Sequence, residues 1–301
     1  MLENLKRHYK DALILGDLPI QTDTYLWFIT ETGAYFGIKK DHLTSQEVTL
    51  LSSLFTPYGK NNQEMSDIQL YWYNLLFLNQ LNMKSPQTFS HCRLIHIHAN
   101  QPITDKHEFQ EAIVSVLSRE TTFLWENEYT GLIIEHRNDE TVDEVSFEEL
   151  VVTLTSDFYA DFHLFVGQVH SITQQLHDTF RTEKELFQKG MHYLYQTKVY
   201  YTHDILPYLF LEKMDSPLRN TLVNVIPEDI QNDDELLENI KVFLESNLNV
   251  SNASKRLYMH RNSLQYRIDK FIEKSGIDIK HFQGAVTTYL AILTLEHFTD
   301  S

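Results

Sequence analysis

The most informative run of residues in this chain is Asn249-Val250-Ser251-Asn252-Ala253-Ser254-Lys255-Arg256-Leu257-Tyr258-Met259-His260-Arg261-Asn262-Ser263-Leu264-Gln265-Tyr266-Arg267-Ile268. Ser251 is predicted to cap a short helix in which Ala253 and Leu257 face inward. The small side chain of Ala253 allows the next helix to cross closely. A turn near residues 258–260 then leads into a second helix, which is predicted to begin at Arg261.

The second predicted helix has an apolar and a polar side. Its apolar residues recur at spacings of three and four, which places them on one stripe: Leu264, Ile268, Phe271 and Ile272. Arg261, Asn262 and Gln265 are left on the opposite side. This pattern predicts a helix-turn-helix, in which the first helix braces against a DNA backbone and the second offers polar side chains to the major groove.

The residue types in this segment suit duplex DNA. Arginine donates two hydrogen bonds to guanine, asparagine or glutamine matches a donor and an acceptor on adenine, and a helix N-terminus attracts phosphate. The alternative is an amphipathic helix pair that serves only as core, which tolerates these polar residues but does not call for them. The predicted DNA-binding residues are Ser251, Lys255, His260, Arg261, Asn262, Ser263, Gln265, Tyr266, Arg267 and Lys270.

The distribution of charge agrees with a local DNA contact. The chain carries a net charge of −17, so most of its surface repels phosphate. Between Lys255 and Lys274, however, six basic residues face two acidic ones, Asp269 and Glu273, which gives a net charge of +4. A solvated basic helix face is the alternative that charge alone leaves open.

The same segment resembles the C-terminal helix-turn-helix of the PucR/CdaR family of bacterial regulators. The resemblance rests on Asn249, Val250, Ser251, Ala253, Leu257, His260, Arg261, Asn262, Ser263, Leu264, Tyr266, Arg267 and Ile268. It continues through Ser275-Gly276-Ile277-Asp278 and a final helix at about 283–298. The resemblance implies a transcription regulator that binds duplex DNA, with an all-α helix-turn-helix domain at 228–301, after a boundary marked by Pro217 and Pro227.

Residues 89–215 are predicted to form a middle domain of strands alternating with helices. The order is β-α-β-β-α-β, which is typical of a ferredoxin-like sheet with helices on one face. The elements are expected at 93–99, 108–117, 123–125, 131–135, 146–159 and 162–169, followed by a helix at 173–195 and a strand at 199–201. The fold class is therefore α+β and multidomain.

The middle domain also resembles, more weakly, the degenerate GGDEF-like domain of many family members. The matching features are Val166-Gly167 at the end of a strand, and Tyr200 to Ile205 before a leucine-rich helix. A working cyclase needs acidic residues at a glycine-rich hairpin to hold metal and phosphates. The turn Glu126-Asn127-Glu128-Tyr129-Thr130 lacks paired glycines, so we expect no catalysis and no cofactor.

Residues 1–88 form an N-terminal α/β domain of unknown type and a candidate sensor. A hairpin is expected from strands at 25–30 and 34–38, joined across Glu31-Thr32-Gly33. Capping boxes predict helices at about 45–55 and 66–80, before a boundary at Ser85-Pro86-Gln87. Four aromatic residues are either an effector pocket or, as we favour, helix core: Tyr71, Trp72, Tyr73 and Phe77.

Several classes of protein are excluded by composition. The single cysteine, Cys92, cannot form an intrachain disulfide, which favours a reducing compartment. The start of the chain lacks the apolar core of a signal peptide, and the longest apolar runs, 25–29 and 289–293, are too short for a bilayer. We therefore expect a cytoplasmic protein without a membrane partner. His96 and His98 share a strand face near His91, but two ligands are too few for zinc, so packing is favoured.

Three hypotheses follow from these patterns. The first is a DNA-binding regulator, expected to be a homodimer controlled by a small-molecule effector or partner. The second is a nucleotide-binding or nucleotide-converting enzyme built on the middle domain, for which we find no acidic metal site in the sequence. The third is a scaffold whose helix-turn-helix binds only protein, and the basic recognition face counts against it.

Overall fold

A computed structural model describes residues 2–16, 24–30, 35–57, 65–80, 89–117, 120–137 and 146–298. These residues form a mixed α+β structure with thirteen α-helices and two β-sheets. The chain divides into two compact units, one of Met1–Asp161 with Gln168–Thr182 and the other of Phe162–Gly167 with Glu183–Ser301. Within the described ranges, every helix is too short or too polar to span a bilayer.

The first sheet is antiparallel, with strand order β1-β3-β2-β4. The predicted hairpin strands pair as β2 and β3, with Phe28 opposite Phe36 and their rings stacked at 5.3 Å in the core. The predicted turn at 31–33 lies outside the described residues, as does the boundary at 85–87. The elements of this region are α1 (Leu2–Tyr9), β1 (Leu13–Gly16), β2 (Tyr25–Ile29), β3 (Tyr35–Lys39), α2 (Ser45–Leu54), β4 (Thr56–Pro57) and α3 (Asp67–Leu76).

Helices α2 and α3 begin where their capping boxes predicted. Thr44 and Ser66 each accept a hydrogen bond from a backbone N–H three residues later, and Glu47 and Gln69 bond back to the two caps. The aromatic residues of α3 serve as core: Tyr71 and Trp72 are buried together with Leu94 and Leu132 of the second sheet. This packing favours the core interpretation over an effector pocket.

The second sheet has five strands in the order β6-β7-β5-β8-β9. Its elements are β5 (His91–Ala99), α4 (Lys106–Leu117), β6 (Thr121–Trp125), β7 (Thr130–Arg137), α5 (Phe147–Phe158), β8 (Phe162–Ser171), α6 (Leu176–Tyr193) and β9 (Val199–Tyr201). Each predicted strand and helix is present. One expectation was wrong: Val166-Gly167 lies inside β8, which continues to Ser171, and does not end the strand.

The predicted histidine pair packs within unit 1. His96 is buried and its ring stacks on Phe180 at 5.5 Å. Within the described residues, no group of three or more His, Cys, Asp or Glu side chains is placed to hold a metal ion.

The remainder of the described chain is helical. Its elements are α7 (Thr202–Lys213), α8 (Ser216–Val223), α9 (Glu228–Gln231), α10 (Asp234–Glu245), α11 (Val250–Arg256), α12 (Arg261–Ser275) and α13 (Phe282–His297). Pro217 lies in the first turn of α8, where a missing N–H costs no helical hydrogen bond. Helix α8 packs against α13, and Ala291, Ile292 and Leu293 of α13 are buried within the chain.

Candidate nucleic-acid interface

Helices α10, α11 and α12 enclose one apolar core. Asp233 caps α10, as its side chain accepts a hydrogen bond from the N–H of Leu236 at 3.1 Å, and the acidic first turn complements the helix dipole. The fully enclosed Ala253 of α11 lets α12 approach closely, as predicted. The buried residues of this core are Ile226, Ile230, Leu236, Leu237, Ile240, Phe243, Ala253, Leu264, Ile268, Phe271, Ile279, Ala291 and Ile292.

Helix α11 begins earlier than the sequence pattern predicted. Its cap is Asn249, whose side-chain oxygen accepts a hydrogen bond from the N–H of Asn252 at 3.0 Å. Ser251 was therefore wrong as the cap, because it already has helical neighbours and lies exposed in the first turn. Its carbonyl instead accepts a hydrogen bond from the Ser254 hydroxyl at 3.1 Å.

Helix α12 begins at Arg261, as predicted. His260 caps it, and its Nδ1 accepts a hydrogen bond from the N–H of Asn262 at 3.2 Å. That bond places the ring at the N-terminus of α12. The helix ends at Ser275 and is followed by Gly276, whose φ of +71° is a left-handed conformation that glycine adopts without strain.

The two sides of α12 are the predicted ones. Leu264, Ile268 and Phe271 are buried, which confirms the apolar stripe. The first turn presents its polar side chains to solvent, and Tyr266 one turn later is 68% exposed. The exposed residues of the first turn are Arg261, Asn262 and Ser263. Gln265 is less available, because it is half-buried and its amide donates to Asp269 Oδ1 at 2.9 Å.

Three of the six basic residues in the +4 segment are neutralised within the chain. Arg256 pairs with Glu245 at 3.0 Å, and Arg267 pairs with Glu235 at 2.6 Å. Lys274 pairs with Asp229 at 2.5 Å, and this ion pair raises the pKa of the lysine and lowers that of the carboxyl.

The other three basic residues form a separate group. Lys255, Arg261 and Lys270 are exposed and make no ion pair with any residue in the described part of the chain. These three side chains carry the unneutralised positive charge around the turn and along α12. Of the six basic residues that the sequence places in the +4 segment, three therefore stay without an ion pair in the described part of the chain.

A groove of about 600 Å³ runs between the start of α10 and the polar side of α12. One wall is acidic and the other carries the predicted DNA-binding side chains, so the groove has opposite charges on its two sides. Its lining residues are Asp233, Glu235, Leu236, Asn262, Ser263, Tyr266, Arg267 and Lys270.

The turn between α11 and α12 contains an exposed residue that sequence reasoning did not assign. Tyr258 has a φ of +52° and is 97% exposed. The sequence gives little indication that Tyr258 is exposed, because an aromatic residue in such a turn is usually interpreted as part of the core.

Comparison with known proteins identifies the family. Residues 236–294 match the model of the PucR C-terminal helix-turn-helix domain, which spans α10 to α13. The protein YxkF of Bacillus subtilis (strain 168) is 30% identical over 297 residues, which cover 98% of this chain and 99% of YxkF. This chain belongs to the PucR/CdaR family of transcription regulators.

Further members of the PucR/CdaR family match over shorter regions. The purine catabolism regulatory protein of Bacillus subtilis (strain 168) is 24% identical over 192 residues, covering 62% of this chain and 34% of that protein. The carbohydrate diacid regulator of Escherichia coli (strain K12) is 21% identical over 148 residues, which cover 48% of this chain and 38% of that protein. As a PucR/CdaR protein, this chain is a sequence-specific DNA-binding transcriptional regulator, as the helix-turn-helix pattern predicted.

Proposed function

We propose that this regulator reads base edges with the first turn of α12 and anchors itself to phosphates with the cations around that turn. The observation that carries the proposal is the partition of charge: Lys255, Arg261 and Lys270 have no ion-pair partner in the described chain, whereas Arg256, Arg267 and Lys274 do. Arg261 and Asn262 are exposed where a helix-turn-helix meets the major groove.

Each predicted site residue has a proposed role that follows from its position. Arg261, Asn262 and Gln265 read bases, with Gln265 exchanging its bond to Asp269 for one to a base. The remaining residues are proposed to contact the DNA backbone, since they lie at the edge of the reading turn or beside it: Ser251, Lys255, His260, Ser263, Tyr266, Arg267 and Lys270.

We propose that the chain comprises an N-terminal domain at 1–88, a middle domain at 89–215 and the helix-turn-helix domain at 228–301. The order β6-β7-β5-β8, with α4 and α5 as crossovers, supports a ferredoxin-like middle domain. An effector or partner acts through the N-terminal and middle domains. Because the chain acts on DNA, it is proposed to be located in the cytoplasm.

The middle domain is proposed to be a non-catalytic GGDEF-like domain. Asn127 Oδ1 closes the turn between β6 and β7 by accepting the N–H groups of Tyr129 and Thr130 at 2.7 and 2.9 Å, without a glycine pair. The pure protein is expected not to turn over GTP with magnesium or manganese. GTP turnover that is abolished by changing Glu126 and Glu128 would favour the enzyme hypothesis instead.

The active form is proposed to be a homodimer, because one helix-turn-helix presents a small reading surface. Two copies on a two-fold axis would read half-sites about one helical turn, ~34 Å, apart. Sedimentation should show two copies of the chain on one operator. A monomer both in solution and on DNA would contradict the dimer.

The test of the whole proposal is a titration of a selected operator and a random duplex over a range of salt. We expect a preference for the operator and an affinity that falls steeply with salt, because phosphate-bound cations displace counterions. Equal affinity for both duplexes, or an affinity independent of salt, would contradict it.

A further inference from the structure

Tyr258 occupies a conformation that is unfavourable for its residue type. Its φ of +52° brings the side chain close to its own backbone, a geometry that glycine and asparagine adopt more easily. Its side chain is 97% exposed, so the ring gains almost no packing within the chain in return. Strained residues of this kind concentrate at functional sites.

The strain at Tyr258 follows from the packing on either side of it. Leu257 and Met259 both pack against the helix-turn-helix core. The N–H of Tyr258 donates to the carbonyl of Lys255 at 3.2 Å, and the N–H of Met259 donates to that of Ser254 at 3.0 Å. With both neighbours directed inward and the backbone bonded, the intervening side chain points into solvent.

The charged residues nearest to Tyr258 in the sequence are basic. Lys255 precedes it by three residues and Arg261 follows it by three, and both cations make no ion pair within the described chain. A phenol hydroxyl in a segment with exposed cations is suited to an anion, because it donates a hydrogen bond without adding charge.

We propose that Tyr258 is a positioning residue of the DNA interface, whose hydroxyl donates a hydrogen bond to a backbone phosphate at the edge of the major groove. This inference rests on the proposed function, in which the same turn meets DNA. The bond sets the approach of α12 to the bases without reading their sequence, since contacts to phosphate carry no base information.

The chain contains a matched control for this proposal. Tyr159 follows α5, has the same φ of +52° and is 88% exposed. Its charged neighbours are Asp157 and Asp161, which repel phosphate. The left-handed conformation is therefore common to both tyrosines, and the sign of the surrounding charge distinguishes them.

The test compares Tyr258→Gly, Tyr258→Phe and Tyr159→Gly in the full chain, using thermal unfolding and salt titrations with a selected operator and a random duplex. We expect Tyr258→Gly to melt no lower than the parent, because glycine relieves the strain. It should nevertheless lose about 5- to 10-fold in affinity for both duplexes. The dependence of affinity on salt should be unchanged, because a neutral donor releases no counterion.

The two other variants isolate the hydroxyl and the conformation. Tyr258→Phe should lose most of the same affinity, and Tyr159→Gly should bind as the parent does. Tyr258→Asn, which also tolerates a positive φ, replaces Tyr258→Gly if glycine loosens the turn.

Several outcomes would overturn the inference. One is parental affinity in Tyr258→Gly or in Tyr258→Phe, and another is a loss confined to the operator. If these occur while the parent still prefers its operator, the proposed function stands and only the role of Tyr258 is refuted. A parent that binds no DNA would refute both.

Discussion

Arg267 Nη1 lies 2.6 Å from Glu235 Oε1, so an ion pair joins the polar side of α12 to the first turn of α10. The carboxylate side chain is 71% exposed and the guanidinium side chain 30% exposed, which leaves the pair accessible to solvent ions. For Arg267 to contact a phosphate, it must exchange Glu235 for the DNA backbone. In the proposed mode of DNA binding, the acidic start of α10 would therefore compete with DNA for Arg267.

Removing the charge of Glu235 should strengthen DNA binding. We expect Glu235→Gln to bind both operator and random duplex about 1.5- to 5-fold more tightly, because exposed ion pairs contribute little each. Affinity should also fall more steeply with salt, since Arg267 then binds phosphate without freeing a carboxylate that takes up cations. Fluorescence anisotropy at several salt concentrations measures both quantities.

Glu238→Gln is the control for Glu235→Gln. It removes the same charge from the exposed side of α10, where Glu238 makes no ion pair with a described residue. Equal gains in the two variants would mean that net charge, and not release of Arg267, changes the affinity.

We expect Arg261 to read bases and Lys255 to anchor the protein to phosphates, so that their variants differ in DNA binding. Truncating Arg261 to alanine is expected to cost about 1–3 kcal/mol on the operator and to relax the preference at one base pair. Lys255→Ala should weaken all duplexes alike and lower the salt slope by about one unit. Lys270→Ala should behave as Lys255→Ala does, and competition against duplexes mutated at each position measures the preference.

Folding must be verified for these truncations, since Leu264 of the core lies on the same helix as Arg261. Circular dichroism of each variant should match that of the parent. If Arg261→Ala loses affinity equally on all duplexes while Lys255→Ala alters base preference, the proposed orientation on DNA is reversed.

His136 should make unit 1 sensitive to acid. Trp72 Nε1 donates to its Nε2 at 3.1 Å, and burial lowers the pKa of the ring to about 4. An unfolded histidine has a pKa near 6.5, so between these values the unfolded chain binds more protons. The stabilisation is complete above about pH 6.5 and is lost as the pH falls towards 4, by about 3 kcal/mol at most.

The measurement for His136 is urea unfolding monitored by tryptophan fluorescence between pH 7.5 and 4. His136→Gln keeps an acceptor for Trp72 but does not titrate, so its stability should fall less with acid than that of the parent. A constant difference between the two proteins over this range would show that His136 does not contribute to the loss.

Gly284 should be required for the fold of the C-terminal domain. A Cβ at this position of α13 would lie 2.2 Å from the carbonyl oxygen of Asp278. Because that oxygen belongs to the backbone, relieving the clash would require the chain around Asp278 to shift. We expect Gly284→Ala to cost about 3 kcal/mol in the free energy of unfolding. Gly276→Ala is the comparison, because it meets no atom within 4 Å and costs about 1 kcal/mol for its positive φ. Thermal unfolding followed by circular dichroism ranks the two, and an equal loss would contradict the steric argument.

Local sequence patterns determined most of the secondary structure. The spacing of Leu264, Ile268 and Phe271 identified α12 and its buried side, because helical periodicity is a property of neighbouring residues. The capping boxes at Thr44 and Ser66 placed the starts of α2 and α3 for the same reason. Helix α1 and strand β1 were not predicted, since each is short and carries no such local signal.

The sequence by itself determined the helix-turn-helix and the family, whereas the ten DNA-binding residues that it predicted stay a prediction. Only the tertiary structure decided which cations are available. Glu235 is distant in sequence from its partner Arg267, as Asp229 is from Lys274. Each pair meets only because α9 and α10 fold beside α12. Tyr258 became evident in the same way. Its exposure and its positive φ result from the packing of its two partly buried neighbours against the core, and no local pattern of residue types encodes that constraint.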